Sequence, residues 1–195
     1  MDEQLYELFI LKCAPIQAAL DRELSKFDPG HSQSGPSVRD DPLIKAYLAE
    51  IALDDRIQAE RMAEYYKIFY MLENYIRQFV SDILVEAKGE DWWETSVPDG
   101  IKESAKRSRE RELNAGVTPR SVDMIEYITF GELSDIIKTN PTEFSGLFTS
   151  TKGLESVTSR LNTLRGPIMH CGVLAEDEVL RLKLSMRDWF KLFTQ

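Results

Sequence analysis

The feature that most limits the fold of this chain is a long apolar stripe with the period of an α-helix. The stripe consists of Met62, Tyr65, Phe69, Leu72, Ile76, Phe79 and Ile83. Steps of three and four residues place all of these side chains on one face of a helix. Because a long apolar face must be covered by other helices, the pattern predicts a helical bundle.

Two further stripes with the same period lie near the C-terminus. The first contains Leu154, Val157, Leu161 and Leu164, and the second contains Val179, Leu182, Met186, Trp189 and Phe193. Between the long stripe and these two, Ile101 to Leu113 has the pattern of a more polar helix. Since strand signals are scarce, the chain is predicted to be all-α, an antiparallel helical bundle.

The middle of the chain carries signals for helix ends. Thr129 and Glu132 have the spacing of a capping box, which predicts a helix that begins there and continues to Lys138. Asn140-Pro141 should end that helix, because proline cannot continue it. A short helix is expected to follow, toward Phe148.

The N-terminal region differs in composition from the rest. Leu5 to Phe27 has an amphipathic pattern that bends at Pro15, and residues 28–42 are rich in Gly, Ser and Pro and contain His31. We therefore expect a helical arm and connector over residues 1–40 and the bundle over residues 41–195. His31 is not assigned to any chemistry.

Composition limits the compartment and the partners. The start of the chain lacks the pattern of a secretory signal, no apolar run has the length of a membrane span, and there are two cysteines. These observations predict a cytoplasmic protein that needs no membrane, metal or other cofactor. The net charge of -9 argues against a broadly basic nucleic-acid-binding surface, and the basic clusters at 102–111 and 181–191 are interpreted as solvated helix faces.

Candidate chemistry is concentrated in one short segment, residues 165–170. Arg165 presents a permanently charged, planar guanidinium that suits phosphate oxygens, and His170 can accept and donate protons near neutral pH. Such a pair is suited to binding and cleaving a phosphodiester. On a continuous helix the two side chains would point about 140° apart.

Between Arg165 and His170 lie Gly166 and Pro167, which interrupt the helical pattern. We expect the helix to kink or restart here, with Pro167 in the first turn of the new segment and His170 close behind it. Free backbone amides at such a start attract anions. The break would also let Arg165 and His170 converge.

From about Ala63 to the end, the chain resembles the HEPN superfamily, whose motif is Arg, four to six residues, then His. Residues 72–77 resemble the signature of the first HEPN helix, and residues 161–171 resemble the motif helix. The segments at 92–93, 127–133 and 188–190 resemble a subgroup found beside nuclease domains in messenger-RNA quality-control endonucleases and in bacterial defence proteins.

The resemblance implies a metal-independent endoribonuclease that works as a homodimer on RNA, in toxin activity or antiviral defence. It assigns Arg165 as the phosphate clamp and His170 as the acid or base, at a cleft shared by two copies. Glu73, Arg77 and Gly166 are the implied substrate-binding positions. A regulatory protein partner, contacted through the N-terminal arm, is a further expectation.

Other readings remain open at the level of sequence. Gly166 stands where active relatives often carry Asn, Asp or His, so the alternative is a non-catalytic HEPN module that binds RNA or serves in dimerisation. A purely structural reading has the imidazole of His170 bonded to a backbone carbonyl and Arg165 paired with a carboxylate such as Glu176 or Asp177.

Overall fold

The computed structural model describes Ile44 and residues 47–193 of the chain. This part contains six α-helices, one 3₁₀ helix and no β-strand, which confirms the predicted all-α helical bundle. The helices are α1 (Leu53–Lys88), α2 (Trp92–Ser96), α3 (Asp99–Asn114), the 3₁₀ helix (Met124–Tyr127), α4 (Phe130–Thr139), α5 (Thr151–Met169) and α6 (Glu176–Lys191).

The chain divides into two compact units with the boundary between Glu64 and Tyr65, inside α1. The bundle belongs to the second unit. The predicted N-terminal helix at 5–27, the connector with His31 and the proposed boundary at residue 40 lie outside the described residues. No helix in the described part is both long and apolar enough to cross a membrane.

Helix α1 buries the apolar stripe that the sequence shows. Six of its members are buried and Met62, at the N-terminal end, is half-buried. The buried members are Tyr65, Phe69, Leu72, Ile76, Phe79 and Ile83. The opposite face of the helix is free to carry polar and aromatic groups, and the candidate site uses residues beside the stripe.

Helices α5 and α6 form an antiparallel pair. The segment before α5 contacts the segment after α6, through a bond from the Thr149 amide to the Leu192 carbonyl oxygen of 2.7 Å. Arg160 on α5 also bonds to Asp188 near the end of α6, at 3.0 Å. Phe148, Trp189 and Phe193 pack together beneath these contacts and against Phe79 of α1.

The middle helices follow the predicted signals, with one exception. Thr129 and Glu132 form the capping box of α4, which ends at Thr139. The predicted short helix toward Phe148 is wrong, because residues 141–147 form turns. Gly146 has a φ of 78°, a left-handed conformation that ends any regular helix at this point.

Two members of the basic cluster on α3 bond to groups of the same helix, as expected for a solvated helix face. Lys102 forms an ion pair with Asp99 at 2.9 Å, and Arg111 bonds to the Arg107 carbonyl oxygen. Arg120, beyond the helix, bonds to Glu112 and thereby holds the pKa of that carboxyl below its ordinary value. The bond between Arg120 and Glu112 connects α3 with the loop that follows it.

Helix α5 does not end and restart at Gly166-Pro167, which was one of the two courses expected from sequence. It continues to Met169, with His170 as its C-terminal cap residue. Pro167 lies in the last turn, where only the Thr163 carbonyl loses its amide partner. Gly166 has no Cβ, so the steric conflict between a proline ring and the preceding side chain does not arise. A proline is therefore accommodated without a restart.

The end of α5 is closed by its own backbone. The Gly172 amide donates to the Pro167 carbonyl oxygen at 2.7 Å, and the exposed Cys171 adopts a φ of 57°. This is the bond pattern of a Schellman cap, with Cys171 in the left-handed position that glycine usually takes. A Cβ at position 172 would lie 3.2 Å from the Pro167 oxygen, a tight contact, so glycine fits best beside that bond.

We predict that Pro167→Ala stabilises the bundle by about 1–2 kcal/mol, because alanine restores the amide for the Thr163 carbonyl and favours the helix. Chemical denaturation followed by circular dichroism would measure the change. Pro98→Ala is the matched control, since Pro98 precedes the first turn of α3 and should give no gain. An equal or lower free energy of unfolding for Pro167→Ala would contradict the prediction.

Candidate functional site

Arg165 lies in the last two turns of α5 and is held by Glu73 of α1. Its Nε donates to Glu73 Oε2 at 2.9 Å, and the side chains of Arg165 and Glu73 are 29% and 13% exposed. The two terminal nitrogens of Arg165 have no hydrogen-bond partner within the described residues. The guanidinium is therefore fixed at one edge, and its other donors remain available to an anion.

The other oxygen of Glu73 binds a second guanidinium. Arg77 Nη2 donates to Glu73 Oε1 at 3.0 Å, one turn along the same helix. Glu73 therefore lies between two cations and shares its charge between them.

Arg77 is buried and surrounded by protein partners. Its Nε donates to the Ile125 carbonyl oxygen at 3.0 Å and its Nη2 to that of Ile128 at 3.4 Å. Its Nη1 donates to Asn74 at 3.3 Å and lies 3.5 Å from a Glu126 carboxylate oxygen. These bonds leave Arg77 placed to hold Glu73 and the 3₁₀ helix, and not to contact a substrate directly as the sequence interpretation had it.

His170 is exposed at the C-terminal end of α5. Its backbone amide donates to the Gly166 carbonyl oxygen at 3.0 Å, so the residue completes the helix instead of beginning another. The prediction that His170 lies among the free amides of a helix start is wrong, since carbonyl groups are exposed at this end. The side chain makes no hydrogen bond within the part of the chain that the structure describes.

Because α5 is continuous, Arg165 and His170 do not converge within one copy. Five helical positions separate them by about 140° around the axis and about 7.5 Å along it. The structural reading fits only in part: Arg165 does pair with a carboxylate, but the partner is Glu73 and not Glu176 or Asp177. His170 has no carbonyl partner among the described residues.

Gly166 leaves open space beside Arg165. A Cβ placed on it would meet no atom within 4 Å, outside its chain neighbours and the backbone of its own helix. The missing side chain leaves the helix backbone at this position open to close approach by a ligand. Of the positions singled out from sequence, Arg165, Glu73 and Arg77 are joined by hydrogen bonds, and neither Gly166 nor the His170 side chain bonds to them in the described part of the chain.

Sequence reasoning missed several groups around this site. Glu126 and the carbonyls of the 3₁₀ helix gave no signal, because they reach Arg77 only through tertiary contact. Two exposed tyrosines on α1, Tyr66 and Tyr70, did leave one. They are aromatic residues that stand one turn apart and outside the apolar stripe, where polar residues are the usual choice.

Comparison with known families identifies the fold that carries this arrangement. The family model described as Swt1-like HEPN matches residues 67–193, well over half of the chain. The chain belongs to the Swt1-like HEPN family. The match contains every residue of the candidate site, from Glu73 to His170. No curated protein and no solved structure matches this Swt1-like HEPN chain.

Proposed function

We propose that this protein is a metal-independent endoribonuclease that acts as a symmetric dimer. The observation that carries the proposal is the state of Arg165, which Glu73 fixes at 2.9 Å while its terminal donors stay open. A fixed guanidinium with free donors is suited to a phosphate and to the charge that develops on it during cleavage. Membership of the HEPN family supports RNA as the source of that phosphate.

The proposed chemistry uses the ribose of the RNA as nucleophile. One imidazole removes the proton of the 2'-hydroxyl, and the 2'-oxygen attacks the adjacent phosphorus. A second imidazole protonates the 5'-oxygen that leaves, so the products carry a 2',3'-cyclic phosphate and a 5'-hydroxyl. Arg165 binds the non-bridging oxygens, which gain negative charge as the phosphorane forms.

A second copy of the chain supplies what one copy lacks. The described part contains a single histidine, His170, whereas the reaction needs both a base and an acid. Within one copy Arg165 and His170 also point in different directions. A two-fold axis near the end of α5 would bring two of each residue to one cleft.

The surface beside His170 supports such an axis. Val173 follows the cap of α5, and Leu180 and Leu184 lie one turn apart on α6; all three are exposed. Exposed aliphatic side chains one turn apart on a helix, such as Leu180 and Leu184, are available for a contact between protein chains. We propose this face as the contact between the two copies.

We assign supporting roles to three other residues of the site. Glu73 positions Arg165, and Arg77 positions Glu73 from beneath. Gly166 provides the open backbone surface on which a phosphate or sugar can rest. The wider role in toxin activity or antiviral defence, a regulatory protein partner and a cytoplasmic location are parts of the proposal supported by the resemblance to defence-associated relatives.

One observation favours the alternative, a non-catalytic HEPN module for RNA binding or dimerisation. Arg165 already has a carboxylate partner, and Gly166 lacks the polar side chain that active relatives often carry at this position. An arginine in an ion pair still binds phosphate, but it stabilises a developing charge less strongly. The alternative therefore keeps RNA binding and omits cleavage.

The deciding experiment incubates the purified protein with single-stranded and structured RNA in EDTA. Cleavage products that end in 2',3'-cyclic phosphate, absent with a folded His170→Ala variant, would support the nuclease. Binding of the same RNAs without any cleavage by the parent would support the non-catalytic module. If the parent neither binds nor cleaves RNA, both proposals are wrong.

A further inference from the structure

Two exposed tyrosines extend the candidate site along α1. The Tyr66 and Tyr70 side chains are 48% and 59% exposed, and their ring centroids lie 6.2 Å apart with the planes tilted by 33°. Between Tyr65 and Lys88 they are the exposed large hydrophobic side chains that α1 presents. Two adjacent rings with free faces offer apolar surface on which a planar ligand can stack.

Helix geometry places Tyr66 and Tyr70 on the side of α1 that carries Glu73, the residue that holds Arg165. Tyr70 precedes Glu73 by three residues, about 4.5 Å along the axis, and Tyr66 by seven, about 10.5 Å and nearly in line with Glu73. Side chains on a helix lean toward its N-terminus, so the Glu73 carboxylate lies over the turn that contains Tyr70. Asn74 reinforces this turn by donating to the Tyr70 carbonyl oxygen at 2.7 Å.

We propose that Tyr66 and Tyr70 form a stacking platform for two unpaired bases of single-stranded RNA whose phosphate lies on Arg165. The inference rests on the proposed function and specifies its substrate: a single strand with exposed bases and not a duplex. Tyrosine rings stack on bases of any sequence, and paired bases in a helix present no free faces. The free guanidinium donors match the phosphate, whereas nothing in the row of rings and polar groups matches an aliphatic protein surface.

The small number of cations with free donors near Tyr66 and Tyr70 predicts how RNA binding depends on salt. The chain has a net charge of -9, and Arg165 is the site's one guanidinium with open donors among the described residues. Binding by stacking with one or two phosphate contacts should depend weakly on salt, with a slope of log K against log salt of about -1. Binding through the basic face of α3 would give a slope two or more times steeper.

The test measures fluorescence anisotropy of a labelled 2'-O-methyl RNA of about 12 nucleotides, which cannot be cleaved through the 2'-oxygen. Tyr66→Ala and Tyr70→Ala should each weaken binding on the order of tenfold. The corresponding Phe variants should bind as the parent does, because the ring is kept. Tyr47→Ala, at a tyrosine that is 72% exposed, is the control and should bind normally.

Other outcomes overturn the inference in distinguishable ways. Normal binding by the Ala variants would remove the platform and leave the nuclease proposal intact, provided that the parent cleaves RNA in EDTA. A duplex of the same sequence bound as tightly as the single strand would also overturn it. If the Ala variants change from dimer to monomer in sedimentation, the tyrosines are a contact between copies. A parent that binds no RNA removes the proposed function together with the platform.

Discussion

An excess of His170→Ala chains should suppress RNA cleavage by the parent chain. Alone, the variant is expected to cleave about 10²–10⁴ times more slowly, the usual cost of losing a proton-transfer group. In a mixed dimer the shared cleft keeps one imidazole, which cannot be both base and acid for one phosphate. With about a tenfold excess of variant, nearly all parent chains are in mixed dimers, so cleavage per parent chain should fall about tenfold.

The measurement needs complete exchange of chains, achieved by refolding the mixture, and RNA in excess over both proteins so that the variant cannot sequester the substrate. Adding the same excess of Tyr47→Ala chains is the control and should add activity. Unchanged cleavage per parent chain would show that each copy acts alone. The exposed position of His170, about 140° around the helix from Arg165 in its own copy, is the reason we expect suppression.

Glu73→Gln should lower the free energy of unfolding by about 2–4 kcal/mol, the largest effect on stability that we expect from one polar substitution. The substitution keeps the shape of the side chain but leaves two guanidiniums facing a neutral amide. Arg77 is buried, so it cannot recover its hydration without disturbing the contact with the 3₁₀ helix. Denaturant unfolding of the parent and the variant would measure the loss.

Two further variants make the stability test specific. Glu126→Gln removes the other carboxylate near Arg77, but its side chain is 36% exposed, and we expect a loss of about 0.5 kcal/mol or less. Combining Glu73→Gln with Arg77→Met removes the unpaired buried charge, so the two losses should be less than additive. Full additivity, or a loss below 0.5 kcal/mol for Glu73→Gln alone, would show that the network contributes little.

The fold was predictable because its helices are specified locally. The stripe on α1 has the period of one helical face, and the capping box at Thr129 marks its helix start without reference to any other part of the chain. The prediction failed after Asn140, where a short helix was expected toward Phe148 and the chain forms turns that bury Phe144 and Leu147. Gly146 adopts a left-handed conformation there, and the packing of those side chains determines the backbone.

The site was predictable in part. The types of Arg165 and His170 and their spacing identified the segment, but the contact between Arg165 and Glu73 joins residues 92 positions apart. Such a contact depends on how α1 and α5 pack, which periodicity does not specify. The continuation of α5 through Pro167 was not predicted for a related reason. One hydrogen bond is missing in the last turn, and its loss costs less free energy than the burial of Ile168 and Leu164 provides.

The cap of α5 gives this protein a built-in position for a molecular probe. Cys171 is exposed and directly follows His170, and the only other cysteine of the chain is Cys13. With Cys13 replaced, a spin label or fluorophore attached to the thiol at 171 would sit at the proposed cleft of each copy. The separation between two such labels then reports directly, in solution and without RNA, how far apart two copies hold their histidines.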